Sequence, residues 1–85
     1  MTIWKFPLND QGRGTRVMMP RSAKVLHFAK QGNTFTLWAH VDPDARKEER
    51  AFVIVGTGWD DDTPADGYIG TVQDGEFVWH CFEVR

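Results

Sequence analysis

Three histidines and one cysteine are the side chains of this sequence best suited to catalysis or metal binding. Cys81 directly follows His80, but neighbouring side chains of a strand point to opposite faces, so His80 cannot activate the thiol. His27, His40, His80 and Cys81 also lack the recurring spacing of zinc ligands. We therefore predict no catalytic residue, no metal, no cofactor and no enzymatic activity.

An acidic segment begins with a tryptophan: Trp59 is followed at once by Asp60, Asp61 and Asp62. Carboxylates of this kind bind hard cations, but the glycine and the bidentate glutamate of a calcium loop are missing at the required spacing. The segment reads as a solvated loop, with a partner contact or a weak metal site as the alternatives. These four residues are candidate partner-binding residues.

Two aromatic-rich stretches are typical of β-hairpins, and the first spans residues 23–41 with a turn at Gly32-Asn33. If Gln31 faces Thr34, His27 faces Trp38 and Val25 faces His40 on the side of the hairpin away from the core. His27, Trp38 and His40 would then form an outward patch, the best candidate binding surface that register provides. The alternative is a half-covered sheet face with amphipathic residues at its rim.

The second hairpin spans residues 67–84, with Asp74-Gly75 as the expected two-residue turn. This turn would place Gln73 opposite Glu76 and Gly70 opposite Trp79, so that the glycine leaves room for the indole. Both faces of the hairpin are apolar, which favours a central position in a sheet.

The remaining segments complete an all-β chain. Residues 2–8 and 15–19 read as two short strands that pair with each other, and residues 9–14 between them read as a loop. Residues 42–50 read as a charged, solvated connection, and residues 51–57 read as a buried strand. We predict a single domain over residues 1–85: a small antiparallel barrel or sandwich of about six or seven short strands with little or no helix.

Charge and composition narrow the function classes. Ten basic and twelve acidic residues give a net charge of −2, which argues against broad electrostatic binding of nucleic acid. The single cysteine fits a reducing compartment. Neither a membrane span nor a signal peptide is apparent, so the sequence predicts a cytoplasmic protein without membrane contact.

Several short motifs occur together in this chain, at residues 3–8 (IWKFPL), 37–43 (LWAHVDP), 56–58 (GTG), 68–71 (YIGT) and 78–80 (VWH). Their combination resembles a small uncharacterised family, a domain of unknown function carried by tailed bacteriophages and prophages. The resemblance covers nearly the whole chain and brings no catalytic residues. It implies a phage protein located in the cytoplasm of the host bacterium.

Our first functional hypothesis is a non-enzymatic binding protein that counteracts a host defence, either by binding a defence protein or by sequestering a small signalling nucleotide. The surplus apolar surface of so short a chain favours a homo-oligomer. The alternative is a small nucleic-acid-binding barrel in which Trp38 and Trp59 stack on bases. Phosphates would then be contacted by a basic group in the N-terminal half: Arg13, Arg16, Arg21 and Lys24. A minor virion component is the third possibility.

Overall fold

The computed structural model describes residues 1–9 and 14–84, and these residues form seven strands and one short 3-10 helix, Ala65–Gly67. The all-β prediction, including the hairpins at 23–41 and 67–84 and the scarcity of helix, is confirmed. Within the described residues, no helix is long or apolar enough to cross a membrane. The strands in chain order are β1 (Thr2–Pro7), β2 (Thr15–Pro20), β3 (Lys24–Gln31), β4 (Thr34–Val41), β5 (Lys47–Gly56), β6 (Tyr68–Asp74) and β7 (Phe77–Val84).

The strands form two antiparallel sheets rather than a closed barrel, so the sandwich is the correct one of the two predicted architectures. Sheet A has the order β1-β4-β3, and sheet B has the order β2-β5-β7-β6. The predicted pairing of the first two strands is wrong, because β1 pairs with β4 along its whole length and β2 pairs with β5. The two N-terminal strands therefore belong to opposite sheets.

The core lies between the inner faces of the two sheets. Alternation along each strand directs one set of apolar side chains inward. Sheet A contributes Phe28, Leu37, Ala39 and Val41, and sheet B contributes Met19, Phe52, Ile54 and Cys81, all of them buried.

The β3–β4 hairpin has the predicted turn and most of the predicted register. Gln31 pairs with Thr34 and His27 pairs with Trp38. A bulge then adds one residue, Leu26, so that Val25 pairs with Ala39 and not with His40 as predicted. The bulge shifts the alternation by one position, which lets Val25 as well as Phe28 pack against the core.

The β6–β7 hairpin forms, but its turn lies one residue later in the chain than predicted, which displaces the facing partners of residues 70–73 by two residues. The turn consists of Gly75 and Glu76, with Gly75 at a φ of +59°, and Asp74 pairs with Phe77. A positive φ at the first turn residue alone is the type II′ arrangement, for which glycine is preferred. Asp74 stays in the strand, where its Oδ2 lies 2.8 Å from Lys30 Nζ.

This register changes the role expected for Gly70. It pairs with Cys81, while Val72 is the residue opposite Trp79. A Cβ at Gly70 would lie 3.3 Å from the Cβ of Phe28 in the other sheet. The glycine therefore permits close approach of β6 to β3. The predicted central position holds for β7 only, because β6 is an edge strand.

The charged segment 42–50 is only partly the solvated connection that the sequence predicts. Asp42 accepts hydrogen bonds from the backbone of Asp44 and Ala45, which closes a turn. Strand β5 begins two residues beyond that turn, at Lys47, and its residues 47–50 pair with residues 17–20 of β2. The prediction is wrong for this half because pairing with β2 and an ion pair of Arg50 hold charged residues in a strand.

Candidate functional site

The outer face of sheet A brings together the first group of predicted site residues. His27 and Trp38 are register partners, and their ring centroids lie 5.9 Å apart with an interplanar angle of 43°. His40 lies two residues after Trp38 on β4 and therefore shares its face. His27 is exposed, whereas Trp38 and His40 are half-buried.

Two lysines complete this surface. Lys5 of β1 pairs with Trp38 from the other side, and Lys24 of β3 pairs with His40. We call the surface formed by Lys5, Lys24, His27, Trp38 and His40 the basic face. Lys5 Nζ also donates a 2.9 Å hydrogen bond to Gln31 Oε1, which bridges the two edge strands across β4.

The charge of sheet A differs in sign from that of the whole chain. Its three strands contain no aspartate and no glutamate, although the full sequence has twelve acidic residues and a net charge of −2. Positive side chains on the basic face are therefore not neutralised by carboxylates of the same sheet. Such a surface attracts anions.

The second group of predicted site residues, Trp59 to Asp62, lies in the loop that follows β5 of sheet B. The Trp59 ring covers Gly56, since a Cβ there would lie 2.8 Å from the indole. Trp59 is 54% exposed and packs edge-on against Trp79, with ring centroids 5.4 Å apart. Phe77, 61% exposed, stacks on Trp79 at 5.7 Å and 23°.

This aromatic cluster is continuous with the core. Phe35 meets Trp79 edge-on at 5.9 Å and stacks on buried Phe28 at 5.6 Å. The indole nitrogen of Trp79 is buried and has no hydrogen-bond acceptor among the described residues. We call the exposed part of the cluster, Trp59 and Phe77 above Trp79, the aromatic rim.

Asp60, Asp61 and Asp62 are exposed and follow Trp59 in the loop beside the aromatic rim. The Asp61 carboxylate accepts a 2.7 Å hydrogen bond from the hydroxyl of Thr63. No three side chains of His, Cys, Asp or Glu within 1–9 and 14–84 are placed so as to hold a metal ion.

The basic group of the nucleic-acid alternative is not brought together. Arg16 is exposed on β2 of sheet B and pairs with Glu49 at 2.9 Å, while Lys24 belongs to sheet A. Arg21 is exposed in the turn after β2, and Arg13 lies outside the described residues. Of the three that the structure describes, Lys24 alone shares a face with Trp38.

A chain of hydroxyls around His80 forms a polar site on the outer face of sheet B. The His80 Nε2 lies 2.7 Å from the Thr57 hydroxyl, and Nδ1 lies 3.0 Å from the Thr71 hydroxyl. The Tyr68 hydroxyl lies 2.6 Å from that of Thr71. Sequence reasoning missed this site because the turn was predicted one residue too early, which placed Ile69, not Thr71, opposite His80.

The network has one direction that uses every hydrogen. Thr57 donates to the Val78 carbonyl at 3.3 Å, so its oxygen accepts from His80 Nε2–H, and Nδ1 accepts from Thr71. We expect the Nε2–H tautomer to predominate when the ring is neutral. Ring ¹⁵N shifts of His80 at alkaline pH measure it, and Thr57→Val should raise the Nδ1–H population. A predominant Nδ1–H form in the unmodified protein would contradict this assignment.

Comparison with known families decides the relationship of the chain. One family profile, described as a domain of unknown function (DUF7352), matches residues 1–85. The chain belongs to this family. Neither the curated proteins nor the solved structures compared with it contain a match.

In this member of DUF7352, sequence reasoning identified one of the two exposed rings of the aromatic rim. Trp59 was a candidate because it precedes three aspartates, whereas Phe77 and Trp79 were not, because a strand pattern assigns aromatic residues to the core. The sequence signal that could have identified Phe77 is the turn that precedes it. Phe77 directly follows a two-residue turn, where a strand has just begun and side chains are poorly covered.

Proposed function

We propose that this protein is a non-enzymatic binding protein of a bacteriophage that sequesters a small signalling nucleotide of the host bacterium and so counteracts a host defence. The phage context is supported by the motifs at residues 3–8 and 37–43. In this proposal the protein acts in the host cytoplasm, as a homo-oligomer.

The observation that carries the proposal is the basic face, which combines cations with an aromatic ring on strands free of carboxylates. A nucleotide presents two matching features, an anionic phosphate and a planar base. In the proposed complex, Lys5 and Lys24 pair with phosphate, and Trp38 with its neighbour His27 stacks on the base. Phosphate attraction and stacking together favour a nucleotide over a neutral metabolite.

Nucleotide binding is tested by isothermal titration calorimetry, in which the protein is titrated with a cyclic dinucleotide and, separately, with a nucleoside triphosphate. We expect Lys5→Gln with Lys24→Gln to weaken binding about tenfold, because two charge-assisted hydrogen bonds are lost. Lys47→Gln is the matched control, since Lys47 is an exposed lysine on sheet B. If Lys47→Gln weakens binding as much, or if neither probe binds, the proposal is wrong.

Trp38→Ala should weaken nucleotide binding by roughly tenfold or more, since stacking on a base contributes about 1–3 kcal/mol. Trp38 is half-buried, so Trp38→Phe accompanies it as a variant that keeps an aromatic surface in the same place. Folding of both is checked by thermal denaturation. Unchanged affinity in a folded Trp38→Ala protein would remove the indole from the site.

A short single-stranded nucleic acid presents the same chemistry and is the second candidate ligand. It is distinguished by length and by salt. An oligothymidylate bound through several phosphates should lose affinity steeply between about 50 and about 200 mM salt, and its affinity should rise with length. A mononucleotide or dinucleotide that binds as tightly as the oligomer would favour sequestration. Copurification with phage particles would favour a virion component instead.

A further inference from the structure

We propose that the aromatic rim is a docking site for an arginine-bearing segment of a partner protein. Trp59 and Phe77 are the two exposed rings of the rim, and both contact Trp79. The site is separate from the basic face, and this proposal is independent of nucleotide binding.

The rim brings two exposed aromatic rings onto one half-buried contact residue, Trp79. More than half of Trp59 and of Phe77 is accessible to solvent, although both are large apolar side chains of a small domain. They come from different parts of the chain, and each of them contacts Trp79. Exposed apolar surface of this kind marks interaction sites.

The negative charge in the segments that carry the rim indicates that its partner is positively charged. Residues 57–67 carry four aspartates and no lysine or arginine, and Glu76 precedes Phe77 in the turn. The described acidic residues of this loop are exposed. A guanidinium stacks on aromatic faces and pairs with carboxylates at the same time, which an ammonium does less well. Charge complementarity therefore indicates arginine.

The same end of the molecule already holds a cation in this way. Lys30 Nζ lies 5.8 Å from the centroid of Phe35 and 2.8 Å from Asp74 Oδ2. Phe35 in turn contacts Trp79, so this internal cation belongs to the same aromatic cluster. The proposed arginine would repeat on the exposed side of the cluster what Lys30 does on its half-buried side.

Docking is tested with a synthetic peptide of alternating arginine and alanine, labelled for fluorescence anisotropy, and with a second peptide in which citrulline replaces arginine. Citrulline keeps the shape of arginine and removes its charge. We expect the arginine peptide to bind and the citrulline peptide to bind at least about tenfold more weakly. Equal binding of the two peptides, or no binding of the arginine peptide, would overturn the proposal.

Variants assign the binding to the rim. Trp59→Ala should weaken peptide binding about tenfold, and Asp60→Asn with Asp61→Asn and Asp62→Asn should weaken it while leaving every ring in place. Met18→Ala is the matched control, because Met18 is also 54% exposed but lies on β2. Since Trp59 covers Gly56, Phe77→Ser provides a second ring deletion that does not touch Gly56. Peptide binding that survives both ring deletions would contradict the site.

A second copy of this chain is the competing occupant of the rim. Sedimentation velocity of the unmodified protein and of Trp59→Ala distinguishes the two. An oligomer that persists in Trp59→Ala, or a monomer in both, agrees with docking of a separate partner. An oligomer that dissociates in Trp59→Ala would overturn the proposal in favour of self-association.

Discussion

Replacement of Gly67 by alanine is expected to destabilise the protein by about 3 kcal/mol or more. A Cβ at Gly67 would overlap the carbonyl oxygen of Glu83, which belongs to the backbone of β7. Backbone atoms cannot rotate away as a side chain does, so either the 3-10 helix or β7 has to shift. For a domain of this length the total free energy of unfolding is about 4–13 kcal/mol, and the loss would be a large part of it.

Gly58→Ala is the matched control for Gly67→Ala. Gly58 has a φ of +88°, but nothing lies within 4 Å of a Cβ built there. Its replacement therefore costs only the backbone strain of a side chain at positive φ, about 1 kcal/mol. Thermal denaturation should show a decrease in Tm about three times larger for Gly67→Ala. Equal decreases would mean that β7 yields freely at Glu83.

The ion pair of Arg50 with Glu83 gives the second large effect. Arg50 Nε and Nη2 donate to the two carboxylate oxygens at 2.7 and 2.8 Å, and the two side chains are only 18% and 13% exposed. Arg50 Nη1 also donates to the carbonyl of Ala23. Glu83→Gln should destabilise the protein by about 2–3 kcal/mol, because the guanidinium would remain half-buried without its counter-charge.

The exposed pair of Arg16 with Glu49 is the control for this prediction. Its N···O distance is 2.9 Å, but the side chains are 75% and 53% exposed. Glu49→Gln should cost less than about 0.5 kcal/mol, since water screens the charges. Urea denaturation of both variants compares them directly. A Glu83→Gln protein as stable as Glu49→Gln would show that burial adds nothing to the pair.

The pH dependence of the Arg50 contribution follows from the direction of its shift. The hydrogen bond to Glu83, together with the charge of that carboxylate, raises the pKa of Arg50 above its usual value, and burial opposes this effect. A group with a raised folded-state pKa stabilises fully below its unfolded pKa and loses that contribution as the pH rises through the folded value. The stabilisation by Arg50 protonation should therefore be constant across neutral and moderately alkaline pH.

The candidate sites differ in how far sequence reasoning could reach them. The shared face of His27 and Trp38 followed from a two-residue turn and strict alternation, which are local rules. The aromatic rim did not follow, because Trp59 and Trp79 are twenty residues apart and meet through the pairing of Gly56 with Trp79. Pairing of distant strands depends on the whole set of sheet neighbours, which no local pattern encodes.

By itself the sequence determined the all-β class, the two hairpins and the turn at Gly32-Asn33, because alternation and turn chemistry act within a few residues. Only the tertiary structure decided that β2 joins sheet B, that Asp74 stays in a strand to reach Lys30, and that Arg50 and Glu83 form a pair. The physical reason is that each of these contacts joins residues more than 25 positions apart. Their free energy depends on burial and on partners that exist only when both sheets are assembled.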